Sequence, residues 1–354
     1  MAESTPPIID ARSRKKKTPT DAAPCTAAAY RMPPRPLIVR LRNWVGDVVL
    51  SLPALHLLQA HGYQLQLTGK GWAPALLAGE GWPVQVRPAR LLDRAAQLRA
   101  LRREATALDA GFARRDNALV FPNSFSGALE MRLAGLKATG YADEGRSPLL
   151  ARALPMPPPE GHMLLRFWRL ACVFLGVEAT PPEAIALRTL AADQQAADAL
   201  LQAHGLRPGF VVVCPTAGGN FENMNKMWPQ FPAYTRALLA HGVQVLALPG
   251  PGEERFLAEQ HAGVNALPGV GLGVYGGLLR RAGLVVANDT GPAHLAAAVG
   301  APLLSVLGPT LPGQWAPWGP NVELVRYWPE WPSVVDVMQR TEAMLERRGA
   351  MASA

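Results

Sequence analysis

The sequence predicts an α/β protein with parallel sheets, and two observations support that prediction. Short apolar, β-branched runs alternate with longer segments of helical periodicity between residues 37 and 310. Such alternation favours parallel strands joined by helices. The 354 residues are also enough for two hydrophobic cores. We therefore expect two domains, 36–180 and 181–330, preceded by a basic tail, 1–35, and followed by a C-terminal segment, 331–354.

The composition is that of an ordinary globular protein, with 49% hydrophobic and 18% charged residues. No stretch approaches the roughly 20 uninterrupted apolar residues that a bilayer span requires. The three cysteines, Cys25, Cys172 and Cys214, are too scattered for a disulfide framework or a thiolate zinc site, so a reducing cytoplasm is expected.

The net charge of +8 is distributed unevenly along the chain. Residues 1–35 carry seven Lys or Arg against three Asp or Glu, and we expect this tail to be a disordered, solvated extension. Contact of the tail with anionic lipid or nucleic acid is the less favoured alternative, and no nucleic-acid partner is predicted. A second excess, eight Arg against three acidic residues, lies between 87 and 115. A solvated helix face is its commoner explanation, and contact with an anionic acceptor is the alternative.

The segment 284–310 reads as strand, polar turn, helix and strand. In such a unit the free N–H groups of the helix N-terminus face the carboxyl edge of the sheet, where a phosphate or diphosphate binds. His294 lies three residues after Gly291, on the face of the first turn that looks towards this anion site. The alternative is that Asp289 or Thr290 only caps the helix and that His294 only packs.

A similar unit opens the first domain, where a strand over 37–41 precedes a turn and a helix expected to begin at Val48. Asp47 is placed to cap that helix, and its spacing alone favours capping. Further along, Asn123 and Ser124 follow the strand expected at 118–121. They are either helix caps or groups that reach into the cleft.

The second domain opens with a strand over 210–214, followed by a turn containing Thr216 and by Lys226. A lysine suits a phosphate site because its ammonium group is a compact point charge. Glu253 follows the next strand, 243–248. It either accepts hydrogen bonds from ribose hydroxyls or merely complements a helix dipole.

Several motifs together resemble the ADP-heptose:lipopolysaccharide heptosyltransferases, over most of residues 36–330. The C-terminal motif is D-T-G-x-x-H followed by G-P-T, and the N-terminal one is R-x-x-x-G-D-V-V-L-S-L-P-A-L. Between them lie F-P-N-S-F-S-G-A-L and K-M-W-P. The form Trp44-Val45-Gly46-Asp47 is typical of the heptosyltransferase II branch.

The resemblance implies a GT-B glycosyltransferase, in which two Rossmann-like β/α/β domains face a central cleft and a C-terminal helix over 331–354 packs back on the first domain. It implies transfer of L-glycero-D-manno-heptose from ADP-heptose to the lipopolysaccharide inner core, with inversion at the anomeric carbon. Asp47 would be the catalytic base, and Asn123 and Ser124 would lie on the acceptor side. The donor would be bound by Thr216, Lys226, Glu253, Asp289, Thr290, Gly291 and His294.

The expected partners are the ADP-sugar donor and an anionic, lipid-linked saccharide acceptor, with peripheral contact at the cytoplasmic face of the inner membrane. No tightly bound cofactor is expected. A protein-bound divalent cation is not required either, since none of the seven His forms an H-x-x-x-H pair. The alternatives are a transferase of the same family acting on another saccharide or a protein, and a catalytically silent nucleotide-sugar binder.

Overall fold

Two six-stranded parallel sheets form the frame of the computed structural model, which describes residues 35–352. All but the last residue of the tail predicted at 1–35 therefore lies outside the described residues. The first sheet consists of β1 (Arg35–Arg40), β2 (Tyr63–Gly69), β3 (Val84–Val86), β4 (Ala118–Val120), β5 (Ala138–Ala142) and β6 (Arg152–Pro155). The second consists of β7 (Val211–Cys214), β8 (Val245–Ala247), β9 (Asn265–Ala266), β10 (Leu284–Asn288), β11 (Leu303–Val306) and β12 (Val322–Val325).

Both sheets have the doubly wound strand order of a Rossmann fold. The first runs β3-β2-β1-β4-β5-β6 and the second β12-β11-β10-β7-β8-β9, with parallel pairing throughout. In this topology the order in which strands are added reverses between the two central strands, and ligands bind at the carboxyl ends of the strands beside that switch point. The switch points lie between β1 and β4 in the first sheet and between β7 and β10 in the second.

Helices cover both faces of each sheet, because the central strands are buried along their whole length and are apolar on both sides. In the first half these helices are α1 (Val45–Ala60), α2 (Ala73–Leu77), α3 (Leu91–Leu108), α4 (Phe125–Leu133) and α5 (Met163–Leu175). In the second they are α6 (Ala191–Ala203), α7 (Phe231–Ala240), α8 (Glu254–Gln260), α9 (Leu272–Arg281), α10 (Gly291–Ala298), α11 (Pro312–Trp315) and α12 (Val334–Ala352).

The two halves share one hydrophobic core. A single cluster of buried residues extends from Leu37 and Leu55 in the first half to Leu295 and Leu303 in the second. It is continuous because α1 packs against both α5 and α10. Two smaller cores lie on the outer faces of the sheets, one under α3 and α4 and the other under α7 and α12. The shared core brings the starts of α1 and α10 together, which positions the site described below.

The C-terminal helix corrects one expectation. We expected the segment 331–354 to pack back on the first domain, but α12 lies against α7 and β10 of the second half. Val337 is fully buried in the outer core of that half, and Thr341 shares a hydrogen bond of 2.8 Å with the Tyr234 hydroxyl. The apolar face of α12 packs on this surface of the second half. The buried hydrogen bond between Thr341 and Tyr234 fixes the position of the helix on that surface.

No helix within residues 35–352 is long and apolar enough to cross a membrane.

Candidate active site

A cavity of about 420 Å³ lies between the two halves, where the carboxyl edges of both sheets meet. Its walls come from the turn between β1 and α1, the loop after β7, and the turn between β10 and α10. It is lined by Arg42, Trp44, Val45, Gly46, Asp47, Leu50, Gly218, Gly219, Asn220, Phe221, Lys226, Asp289, Thr290, Gly291, Pro292, His294 and Trp315. Of the predicted site residues, Asp47, Lys226, Asp289, Thr290, Gly291 and His294 are thus brought together.

Asp47 lies in the first turn of α1 and is not its N-cap. The helix begins at Val45, three residues earlier than expected, and Trp44 occupies the cap position. The Asp47 carboxylate is 7% exposed, and its Oδ2 accepts a hydrogen bond of 3.0 Å from Arg42 Nε. The capping interpretation of Asp47 is therefore wrong. Its charge is held at the cavity wall by a cation that also lines the cavity.

A buried ion cluster beneath this turn fixes its shape. The Arg40 guanidinium donates through Nε to Glu130 at 3.0 Å and through Nη2 to Asn43 at 2.8 Å, and it also bonds the Leu41 carbonyl. Glu130 is fully buried and accepts a second hydrogen bond from Arg87, at 3.2 Å. Burial and the neighbouring Arg87 charge lower the pKa of Arg40 to about 10, so the guanidinium stays charged at neutral pH. The buried cluster around Arg40 thus fixes the conformation of residues 41–44.

Asp289 is the centre of the opposite wall. Its Oδ2 accepts hydrogen bonds from Lys226 Nζ at 3.2 Å and Thr310 Oγ1 at 2.9 Å, and His294 Nε2 lies 3.8 Å from Oδ1. Burial by itself would raise the pKa of Asp289, but His294, the Lys226 charge and the Thr310 hydroxyl together lower it below its ordinary value. Asp289 therefore remains ionised and holds Lys226 at the cavity wall.

The N-terminus of α10 opens into the same space. Thr290 occupies the cap position, but its side chain makes no capping hydrogen bond. The first N–H groups of a helix have no intrahelical partner, and they lie at the positive end of the helix dipole. His294 is 5% exposed, and its buried Nδ1 has no hydrogen-bond partner among the described residues. Side-chain capping by Thr290 is therefore absent, and the side-chain contacts of Asp289 are those with Lys226, Thr310 and His294.

The two helix starts touch through their glycines. A Cβ added to Gly46 would lie 2.6 Å from His294 Cδ2, and one added to Gly291 would lie 3.0 Å from the Cβ of Val45. Neither glycine has a positive φ. Their lack of a side chain is therefore required by the contact between the halves and not by the local backbone.

Asn288 ties together the loops of the second half. This fully buried side chain accepts a hydrogen bond of 2.9 Å from the Trp228 N–H and donates one of 2.6 Å to the Pro215 carbonyl. The side-chain amide of Asn288 therefore joins the segments that carry Thr216, Lys226 and Asp289.

The other predicted site residues lie outside the cavity lining. Ser124 caps α4 by accepting a hydrogen bond of 3.3 Å from the Gly127 N–H, and Asn123 Nδ2 lies 3.7 Å from Met156 Sδ. Glu253 accepts a hydrogen bond of 2.8 Å from the Gly250 N–H, which closes its own turn. Thr216 is half-buried in the loop after β7. All four nevertheless follow the carboxyl ends of strands, three of them at a switch point.

Comparison with known proteins identifies the family. The model of glycosyltransferase family 9 (heptosyltransferase) matches residues 107–344. The chain belongs to glycosyltransferase family 9. Two relatives named lipopolysaccharide heptosyltransferase 3 match part of it. The Escherichia coli protein is 35% identical over 134 residues, and that of Escherichia coli strain K12 is 32% identical over 138. The first match covers 35% of this chain and the second 36%, and each covers 38% of the relative.

Solved structures agree over nearly the whole fold. Escherichia coli ADP-heptose lipopolysaccharide heptosyltransferase II superposes with a TM-score of 0.72 at 23% identity, over 88% of this chain and 99% of that one. A family 9 glycosyltransferase of Veillonella parvula gives 0.73 at 15% identity, over 88% and 97%. Escherichia coli heptosyltransferase WaaC with ADP gives 0.63 at 22% identity, over 87% and 99%. The predicted GT-B fold is confirmed.

Several cavity residues of this glycosyltransferase were missed by sequence reasoning. Trp44 and Arg42 stand beside a predicted residue, but nothing in their spacing marks them as cleft-facing. Phe221 comes from the loop after β7 and Trp315 from the short helix α11, and Thr310 reaches Asp289 from a different turn. The G-P-T motif that contains Thr310 was the one signal available.

Within residues 35–352 there is no group of three or more His, Cys, Asp or Glu side chains arranged to hold a metal ion.

Proposed function

We propose that this protein is an inverting heptosyltransferase that moves L-glycero-D-manno-heptose from ADP-heptose to the inner core of lipopolysaccharide. One observation carries the proposal. A carboxylate, Asp47, faces across a single cavity the cationic and helix-terminal groups of the other half, Lys226, His294 and the start of α10. The carboxylate on one side can act as a general base, and the groups on the other side can bind a diphosphate leaving group. Family membership and the names of the relatives support heptose as the sugar.

The donor diphosphate would lie at the second wall. Lys226 supplies a positive charge, α10 supplies free N–H groups, and His294 lines the same wall. These groups neutralise the diphosphate charge in the bound donor and in the departing ADP alike. Asp289 would act through Lys226, because Thr310 and Lys226 both bind its Oδ2.

Asp47 would accept the proton of the attacking hydroxyl. The acceptor oxygen forms the new bond to the anomeric carbon from the face opposite ADP, and ADP leaves with the electron pair of the broken bond. A carboxylate suits this step because the hydroxyl becomes strongly acidic only as the new bond forms. Arg42 engages Oδ2, and we assign Oδ1 to the acceptor hydroxyl.

The acceptor and the location are part of the same proposal. Arg90, Arg99 and Arg103 are exposed on or beside α3 of the first half, which suits an anionic, lipid-linked saccharide at the cytoplasmic face of the inner membrane. Arg87 and Arg94 of the same stretch are engaged by Glu130 and are less available.

The choice of branch rests on two opposed observations. Trp44-Val45-Gly46-Asp47 favours the heptosyltransferase II branch, whereas the partial matches with 35% and 32% identity are both named heptosyltransferase 3. We propose the II-like activity because its motif forms part of the cavity wall.

The test is mass spectrometry of products from ADP-heptose and a panel of purified core acceptors carrying no, one or two heptose residues. Addition of one heptose to the acceptor with one heptose is the expected result. Addition only to the two-heptose acceptor would assign the protein to the other branch. Transfer to a protein or to a different saccharide would favour the alternative family activity, and absence of turnover with every donor would leave a nucleotide-sugar binder.

A further inference from the structure

Trp44 is an exposed indole in a functional cleft. It lines the cavity, yet its side chain is 63% exposed, whereas the other eight tryptophans are buried or half-buried. A large apolar side chain left in water at the mouth of a polar cavity loses the free energy that burial would give it. Single exposed apolar side chains are common, but of the large apolar side chains exposed among the described residues, Trp44 is the one that lines this cavity, where a bound ligand can cover its ring.

The position of Trp44 relative to Asp47 limits what that ligand can be. Trp44 is the N-cap of α1 and has an extended backbone, and it does no capping with its side chain. Asp47 follows three residues later in the first turn of α1, and both side chains line the cavity. The indole therefore stands at the same cavity wall as the Asp47 carboxylate.

The indole also reaches towards the other half. A Cβ built on the exposed Gly218 would lie 3.6 Å from Trp44 Cζ3, in ordinary van der Waals contact. The loop that contains Gly218 also provides Phe221 to the cavity lining. The mouth of the cavity is thus bounded by flat apolar surface, while its floor carries the charged groups.

We propose that Trp44 is a specificity-determining platform on which the acceptor sugar ring stacks while its hydroxyl meets Asp47. A pyranose ring presents a face of C–H groups that packs on an indole, burying apolar area and directing weakly positive hydrogens at the π-face. The inference rests on the proposed function. It goes beyond it by assigning the acceptor subsite to this side chain.

Geometry favours the acceptor over the donor as the occupant. The anion-binding groups, Lys226 and His294, belong to the second half, so the leaving diphosphate lies on that side. Inversion requires the attacking hydroxyl to come from the opposite side, which is the wall formed by Asp47 and Trp44. A ring held there is the attacking saccharide.

The experiment is steady-state kinetics on Trp44→Ala, Trp44→Leu and Trp44→Phe, with donor and acceptor varied in turn. The acceptor KM should rise by about tenfold in Trp44→Ala and in Trp44→Leu, which lacks the flat π-face, and by less than about threefold in Trp44→Phe. The donor KM and the ADP Kd should stay at wild-type values in all three. Val335→Ala removes an equally exposed apolar side chain, 65% exposed on α12, and should change nothing.

The outcomes separate this inference from the proposed function. If the wild type transfers heptose but Trp44→Ala keeps its acceptor KM, the platform is refuted and the function stands. A rise in donor KM or ADP Kd with an unchanged acceptor KM would place the ring over the donor and refute the assignment. If the wild type proves to use another donor and acceptor, the proposed function fails while the same titration with that pair still tests Trp44.

Discussion

At the scale of single residues, the proposed mechanism depends on Asp47. Asp47 does not cap α1, but its ion pair with Arg42 is a second structural role that a test of catalysis must separate from the chemical one. Asparagine at this position can still accept the Arg42 hydrogen bond through its side-chain oxygen, but it cannot take a proton at neutral pH. The Asn variant therefore separates the geometric role of the side chain from its role as a base.

We predict that Asp47→Asn and Asp47→Ala lower kcat by on the order of 10² to 10⁴ while the ADP affinity is retained, because a general base acts in the chemical step. Steady-state kinetics with calorimetric ADP titration would measure both quantities, and thermal unfolding would monitor the fold. Near-normal turnover in Asp47→Asn would refute the catalytic assignment.

Lys226 should behave in the opposite way. Lys226→Ala is predicted to weaken ADP and donor binding by roughly 1.5 to 3 kcal/mol, because a fixed charge stabilises ground and transition states alike. Lys137→Ala is the matched control, since it removes the same charge from an exposed side chain, outside the cavity lining, whose Nζ donates to the Arg114 carbonyl. Wild-type ADP affinity in Lys226→Ala, measured by calorimetry, would remove Lys226 from the donor site.

At the scale of elements, the site depends on how closely the starts of α1 and α10 approach each other. Gly46→Ala would place a Cβ 2.6 Å from His294 Cδ2, so the imidazole must move. We predict that ADP affinity falls in Gly46→Ala by about as much as in His294→Ala. The double variant should be no worse than either single one, because both changes remove the same interaction.

Gly71→Ala provides the control for this comparison. A Cβ at Gly71 has no heavy atom within 4 Å and no positive φ to strain, so its ADP affinity and stability should match those of the wild type. Additive losses in the Gly46→Ala/His294→Ala double variant would show that the two residues act independently and would contradict the prediction.

At the scale of the whole molecule, a buried histidine links stability to pH. His261 is nearly fully buried, and its Nδ1 shares a hydrogen bond of 2.9 Å with Thr235 Oγ1. Burial, followed by the Arg236 charge, lowers the pKa of His261 to about 4. Between the ordinary value of about 6.5 and that lowered value, the unfolded chain binds a proton that the folded protein does not. Stability is therefore fully present above pH 6.5 and declines as the pH falls towards 4.

We predict that His261 removes about 2 kcal/mol from the free energy of unfolding between pH 7 and pH 5. Urea unfolding of His261→Gln at the two pH values should show a pH dependence smaller by that amount. His204→Gln changes an exposed histidine at the end of α6 and should keep the wild-type pH dependence. Equal pH dependence in His261→Gln and the wild type would contradict the assigned shift.

Sequence patterns predicted the frame of the molecule better than its side-chain contacts. Alternating apolar runs predicted both parallel sheets, because burial on both faces leaves a strong signal in composition. The four turns selected for Asp47, Ser124, Thr216 and Asp289 do flank the two switch points. What escaped prediction depends on packing between distant segments. The start of α1, the docking of α12 and the approach of Thr310 to Asp289 are set by neighbours far away in the chain.

The glycine contact between the halves also bears on protein engineering. Gly46 and His294 belong to different Rossmann-like halves, yet each occupies space that the other must leave free. A chimera that joins the first half of one family member to the second half of another therefore combines two contact surfaces that did not evolve to fit each other. Its success should depend less on matching the linker than on transferring this pair as a unit. Library designs for altered acceptors should accordingly hold both positions constant and diversify the residues at the cavity mouth.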